Sequence, residues 1–235
     1  MTKILMVVSG ADSLTMADGT EHPTGYWAEE VAASHQVLTG AGVQVDIATP
    51  GGVRPTVDEV SLDDRGGVAE ADAKGFRTYL DSLGAELAKP LTLADVSLDG
   101  YDAVYIPGGH GPMADLAKDA DLGKLLIEAN GSGKVVAALC HGPAALLSAI
   151  GADGGFAFAG RRLTVFTDEE ENQGGTGVNT PYFVETELRK LGGDVEAGPA
   201  WASHVVVDGN LVTGQNPQSS VDTARRVLEV LGVAK

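Results

Sequence analysis

Cys140 is the only cysteine. It stands between an apolar run, Val135 to Leu139, and a Gly142-Pro143 break that leads into Ala144 to Ile150. The run suits a short strand buried on both faces. Proline fits the first turn of a helix, where its missing N–H costs nothing. This order places Cys140 at a helix N-terminus. There, unpaired amides and the helix dipole stabilise a thiolate and lower the thiol pKa. The nucleophile elbow of serine hydrolases uses the same strand–turn–helix logic. Small neighbours (Ala137, Ala138, Gly142, Ala144) let the backbone bend sharply. His141 needs that bend, because adjacent residues of a regular strand point to opposite faces. The alternative is a buried cysteine packing as a small apolar residue; the Cys-His-Gly-Pro context favours the nucleophile.

Three other stretches carry groups that could serve this thiol. Pro107-Gly-Gly-His-Gly-Pro112 is a glycine turn between a strand and a helix, suited to close backbone approach and to donating N–H groups to an anion. Glu29 and Glu30 fall in the first turns of a helix predicted from Thr24 to about Gly40; an ordinary acidic helix start is their alternative role. Thr167-Asp-Glu-Glu-Glu-Asn172 follows a predicted strand and offers Asp168 and Glu171, or else a solvated charge run. His22, His35, His110 and His204 have no ligand-like spacing; His110 is placed near the site by its loop, in a structural role. Trp27 and Trp201 are core residues or pocket walls.

The elements that must position these groups alternate along the chain. Ile4 to Val8 and Tyr101 to Ile106 read as buried strands, and Val43 to Thr49 as a strand that alternates. Ser9 to Pro23 is a long polar loop beyond the first strand's C-terminal end, where open α/β sheets commonly build sites. Residues 53 to 73 are acidic and aperiodic, a surface loop expected to border the site in part. Phe76, Leu80, Leu83 and Leu87 recur at helical spacing, and one helix is expected to carry Met113, Leu116, Leu122, Leu125 and Leu126. Leu163 to Phe166 reads as a strand, Gln173 to Gly177 as a flexible segment, and Pro181 to Leu191 as an amphipathic helix. Val205 to Val207 and Leu211 to Thr213 flank an Asp-Gly-Asn turn as a hairpin, before a final helix opened by Asn216-Pro217. The alternation implies one α/β domain over residues 1–235, with a mostly parallel sheet covered by helices on both faces.

Composition narrows the partners. The chain has 235 residues with 33 acidic and 16 basic side chains, a formal net charge of −17. No basic stripe is present, which disfavours nucleic acid and anionic membranes. One cysteine excludes an intramolecular disulfide and fits a reducing compartment. No apolar stretch approaches a membrane span, and Met1 to Val8 reads as a strand, not a signal peptide. The cytoplasm is the expected location.

Ile106-Pro-Gly-Gly-His-Gly111 and Ala138-Leu-Cys-His-Gly-Pro143, with Glu30 upstream, resemble the ThiJ/PfpI superfamily. Leu211-Val-Thr-Gly-Gln-Asn-Pro-Gln-Ser219 is similar to it as well. Thr24-Gly-Tyr-Trp-Ala-Glu-Glu30 and Phe166-Thr-Asp-Glu-Glu-Glu171 resemble the branch containing glutathione-independent glyoxalase III and the heat-inducible chaperones. The resemblance implies a flavodoxin-like sandwich in a class I glutamine amidotransferase-like domain. It implies Cys140 as nucleophile, Glu30 as a proton-sharing hydrogen-bond partner of the thiolate, and His141 as base or proton shuttle. Glu171 would orient His141, with Asp168 as the competing acid. The backbone N–H groups of Gly109 and His141 would form an oxyanion hole. The implied reaction converts methylglyoxal to lactate through a hemithioacetal, with no metal and no cofactor. A related activity is repair of glyoxal adducts. A homodimer is expected.

Other functions compete. A holdase chaperone would need an exposed apolar patch. Amidotransferase relatives take their histidine from a distant His-x-Glu, whereas His204 is followed by Val205 and Val206. Isonitrile hydration or another cysteine hydrolase reaction would use the same thiol.

Overall fold

A computed structural model describes residues 1–233. The chain runs β1 (Lys3–Val7), β2 (Ser13–Thr15), β3 (Glu21–Pro23), α1 (Ala28–Gly40) and β4 (Gln44–Thr49). Two short 3-10 turns, Glu59–Leu62 and Asp64–Gly66, precede α2 (Glu70–Ser82) and α3 (Gly84–Ala88). Next come β5 (Leu91–Thr92), β6 (Ala103–Ile106), α4 (Gly111–Ala114), α5 (Ala120–Gly131), β7 (Val135–Leu139) and a 3-10 helix, Gly142–Ser148. The last part holds β8 (Arg162–Leu163), α6 (Asp168–Gly174), α7 (Val184–Lys190), β9 (Asp194–Val195), β10 (Val205–Asp208), β11 (Leu211–Gly214) and α8 (Ser220–Val230).

Seven strands form the main sheet in the order β10-β11-β7-β6-β1-β4-β5. Every pairing in it is parallel except β10 with β11, the expected hairpin. Alternation along the strands splits the core in two. Leu5, Val7, Val104, Ile106, Val136 and Ala138 face one layer, with Leu122, Leu126 and Leu146. Ile4, Met6, Tyr105, Val135, Ala137 and Leu139 face the other, with Val31, Leu38, Leu80 and Val227. Both faces are covered, giving a flavodoxin-like α/β sandwich. From β1 the chain moves one way to β4 and β5, then returns to β6 on the other side of β1. The β1/β6 boundary is thus the switch point, where open sheets form a crevice at the strand C-termini.

Several local expectations are corrected. Thr24 does not cap α1: its hydroxyl donates to Asp58 Oδ2, and the helix starts four residues later. Ser61 takes the capping role from across the chain, accepting from the Ala28 N–H at 3.0 Å. Ser9 to Pro23 contains the β2–β3 hairpin. The expected single helix after the glycine loop is broken into α4, a 3-10 turn and α5, because Asp119 caps α5 afresh at the Asp121 and Leu122 N–H groups. The segment after Pro143 is 3-10, not α-helical. Of Leu163–Phe166 only Leu163 lies in a strand, as the end of β8, which pairs with β9 in a separate two-stranded sheet. Gln173 and Gly174 belong to α6. Among the described residues no helix is long and apolar enough to cross a membrane.

Candidate active site

The bend at Cys140 is real. Its φ is 56°, in the left-handed region that side-chain-bearing residues rarely adopt. The conformation is held from both sides: the Cys140 N–H donates to the Gly214 carbonyl at 3.0 Å, and its own carbonyl accepts from Phe166 N–H at 2.9 Å. Cys140 is 3% exposed. His141 Nδ1 lies 3.4 Å from Cys140 Sγ, so adjacent residues do meet.

The glycine loop after β6 is pressed against this elbow. A Cβ on Gly108 would lie 2.7 Å from the His141 amide nitrogen. Gly109 has φ 84°, and a Cβ there would lie 2.3 Å from the Gly25 carbonyl oxygen. Neither position admits a side chain. The Gly108 carbonyl accepts from Trp27 N–H, the N-cap of α1, at 3.1 Å. This docking sets the first turn of α1 over the loop, and the Gly108 N–H donates to Glu30 Oε2 at 2.6 Å. Glu30 is fully buried, and its Oε1 has no other oxygen or nitrogen partner.

Burial pushes the Glu30 carboxyl up to about 8, against the opposing hydrogen bonds from Gly108 and Cys140. Burial also pushes the Cys140 thiol up, and the Glu30 carboxylate adds to it; the amides of Gly109 and His141 pull the other way. The expectation of a simply lowered thiol pKa is therefore corrected. Elbow amides favour the thiolate, but loss of solvent and a neighbouring anion outweigh them. Glu30 and Cys140 are thus coupled: ionising either one disfavours ionising the other. When Glu30 holds a proton, the carboxyl becomes a donor to the thiolate instead of a repelling charge.

Beyond the elbow, Thr167 and Glu170 form a reciprocal capping box that starts α6 at once. This brings Glu171 back over the elbow, with Oε2 2.5 Å from His141 Nε2. Its Oε1 lies 2.9 Å from His110 Nε2 and also accepts from the Thr176 hydroxyl. Burial alone would raise the Glu171 pKa. When His141 is protonated its charge and hydrogen bond, with the His110 hydrogen bond, reverse this and hold the carboxyl well below the usual range. Burial and His110 lower the pKa of His141, outweighing the Glu171 carboxylate, which raises it. An ionised Glu171 beside a neutral imidazole fixes the proton on Nε2 and leaves Nδ1 free to accept from the thiol. Asp168 is not part of this group. Its Oδ2 accepts from the Thr186 hydroxyl on α7 at 2.6 Å. The solvated charge run is corrected for two members: Glu170 and Glu171 are buried, and Glu169 is exposed.

His110 lies beside the site, where its loop places it. Its ring packs 4.2 Å from that of His141. The ligand atoms of His110, His141 and Glu171 lie within 4.8 Å of one another, a spacing that could also hold a metal ion. The cavity over Cys140 measures about 640 Å³ and takes in Trp27, Arg65, His110, Phe166 and Trp201. Residues 58, 60 and 65–67 line it, so the acidic loop does border the site. Neither tryptophan is a core residue.

The relative roles of the two acids give a direct expectation. Glu171→Gln should lower turnover by about 10²–10⁴-fold while binding weakens less, because it frees the imidazole tautomer and loses support for its protonated form. Asp168→Asn should leave turnover within a few-fold and cost about 1 kcal/mol of stability at the α6 N-terminus. Steady-state kinetics with paired melting curves reads both; loss of turnover in Asp168→Asn alone would reverse the assignment.

A cysteine elbow at the carboxyl ends of a parallel, helix-covered sheet defines a class of α/β proteins built around a buried thiol. The chain belongs to the DJ-1/PfpI family, whose model matches residues 23–230. It is 31% identical to the glutathione-independent glyoxalase HSP31 of Saccharomyces cerevisiae, over 97% of this chain and 98% of that one. It is 28% identical to the protein/nucleic acid deglycase HchA of Pseudomonas aeruginosa, over 97% of this chain and 80% of that one. The crystal structure of glyoxalase III from Candida albicans superposes with a TM-score of 0.82 at 26% identity, over 97% of each chain. Glyoxalase and deglycase activities thus occur within this family.

Proposed function

We propose that this chain is a glyoxalase III-type enzyme that converts a small 2-oxoaldehyde such as methylglyoxal to the 2-hydroxy acid without glutathione. One observation carries the reading: Cys140 Sγ has His141 Nδ1 at 3.4 Å, with the buried Glu30 carboxyl and the Gly109 and His141 amides around it. This arrangement supplies a nucleophile, two proton carriers and an anion-stabilising pair.

Cys140 attacks the aldehyde carbon, forming the C–S bond. The carbonyl oxygen becomes an oxyanion stabilised by the Gly109 and His141 amides, then takes a proton. His141, neutral and held by Glu171, removes the aldehyde C–H proton from the hemithioacetal. His141 returns that proton to the neighbouring carbon, and Glu30 carries the hydroxyl proton from the first carbon's oxygen to the second's, leaving a 2-hydroxy thioester. Water cleaves the C–S bond, releasing the acid and the thiol. The net change is the addition of one water. Amine adducts of glyoxals present the same carbon to the same thiol, so early adduct repair follows from this site, as the deglycase relative's name suggests.

The decisive assay is lactate formed from methylglyoxal in the absence of glutathione. Turnover is expected, and it should stay within about twofold after exhaustive treatment with EDTA, because the thiol is the nucleophile. Loss of activity restored by adding a metal would move His110, His141 and Glu171 into a metal site and overturn the mechanism.

A further inference from the structure

A row of four rings leads outward from the elbow. His110 packs on His141 with centroids 4.2 Å apart, His141 on Phe166 at 4.4 Å, and Phe166 edge-on to Trp201 at 5.6 Å. All four line the cavity over Cys140. Trp201 ends the row at the solvent edge and is 41% exposed, so the demands of the core do not account for it.

Trp201 is also strained. Its φ is 61°, and among the described residues Cys140 is the one other non-glycine residue in that region. For a bulky side chain the conformation persists only where the surroundings impose it. Here they do. The Trp201 N–H donates to Glu170 Oε1 at 2.8 Å, and Glu170 is fully buried, held further by Thr167, Gln215 and Asn216. The indole Nε1–H donates to Gln173 Oε1 at 2.6 Å, which fixes the plane of the ring. A buried carboxylate and a polar tether thus hold an aromatic face at the edge of a cavity of about 640 Å³. That volume lies within the ~300–1,000 Å³ of pockets for drug-sized ligands. Methylglyoxal, with three carbons, leaves most of it unfilled.

We propose that Trp201 is a specificity-determining residue: with Phe166 it receives a flat aromatic substituent on the 2-oxoaldehyde, making aryl glyoxals better substrates than methylglyoxal. The inference rests on the glyoxalase reading and names its substrate class. Phenylglyoxal passes through the same steps, with the C–S bond formed at the aldehyde carbon, the proton moved to the adjacent carbon, and water releasing mandelate.

Initial rates of hydroxy-acid formation from phenylglyoxal and methylglyoxal test this in wild type, Trp201→Gly and Trp201→Phe. Glycine accepts the positive φ without strain, so the backbone bond to Glu170 can survive loss of the ring. The ratio of kcat/KM, phenylglyoxal over methylglyoxal, is expected to exceed one in wild type. It should fall about three- to tenfold in Trp201→Gly and stay within about twofold in Trp201→Phe. A wild-type preference for methylglyoxal, or an unchanged ratio in Trp201→Gly, would overturn the proposal. A second readout needs no turnover: calorimetric titration of mandelate and lactate into Cys140→Ser. Mandelate is expected to bind more tightly, with the difference lost when Trp201→Gly is added. If neither aldehyde yields hydroxy acid but the mandelate preference holds, the glyoxalase reading fails and the aromatic subsite stands. Turnover with no mandelate preference and an unchanged ratio has the opposite meaning.

Discussion

Replacing Cys140 by alanine is expected to lower lactate formation from methylglyoxal by at least about 10³-fold, to the background of the buffer. The thiol is the sole cysteine and carries the covalent step, so no neighbouring side chain can take over. His141, Glu171 and the elbow amides remain in Cys140→Ala, which makes the variant a test of the sulfur and not of the pocket. Stability gives an independent check on the elbow. With φ at 56°, alanine inherits the strain that cysteine bears, whereas glycine does not. Cys140→Gly should therefore be more stable than Cys140→Ala by about 1 kcal/mol, although both are inactive. Chemical denaturation reads the difference. Equal stabilities would mean that the backbone relaxes once the thiol is gone. Residual turnover above a few per cent in either variant would end the covalent mechanism.

Glu30→Gln is expected to lower kcat by about 10²–10⁴-fold, the usual contribution of a positioned acid or base. The isosteric amide can still accept from Gly108, so the fold should hold. The alkylation midpoint of Cys140 should move down in this variant, because a carboxylate that pushes the thiol up has been removed. A more ionised thiol with poorer turnover would identify Glu30 as a proton carrier; improved turnover would reduce it to a repelling charge. The pH dependence carries the same information. Burial raises Glu30 from 4.5 to about 8, so the folded protein binds a proton that the unfolded chain has released. Stability from this group is therefore fully present below about pH 4.5 and is lost as pH rises toward 8, on the order of a few kcal/mol. Glu30→Gln should flatten that slope. Wild-type turnover should also fall as pH rises through about 8, where the carboxyl gives up its proton. An unchanged pH profile in Glu30→Gln would assign the limb to another group.

Much of the frame was legible in the sequence because it rests on local rules. Apolar runs such as Val135–Leu139 report strands buried on both faces, and the Asp208-Gly209-Asn210 turn reports the β10–β11 hairpin. The elbow was readable because Gly142 and Pro143 must interrupt the strand at His141. The glycines of the Pro107–Pro112 loop announced close backbone approach, and Gly108 and Gly109 show what approaches: the His141 amide and the Gly25 carbonyl. The capping box of Thr167 and Glu170 was also present as a spacing, and it would have shown that α6 begins immediately after Phe166. Reading a strand and loop there left Asp168 and Glu171 in competition.

Tertiary structure decided what depends on distant chain. Glu171 rather than Asp168 meets His141 because α6 is anchored through Phe166 to Cys140 and through Asp168 to α7. Burial of Glu170 follows from Gln215, Asn216 and Trp201, none of them near it in sequence. The thiol pKa is the sharpest case. Helix and elbow rules act over one turn and favour the thiolate. Loss of solvent and the approach of Glu30, brought in by α1 docking on the glycine loop, act through space and win. Electrostatics and solvation sum over everything near an atom, whichever part of the chain supplies it, so they become readable once the chain has closed around the site.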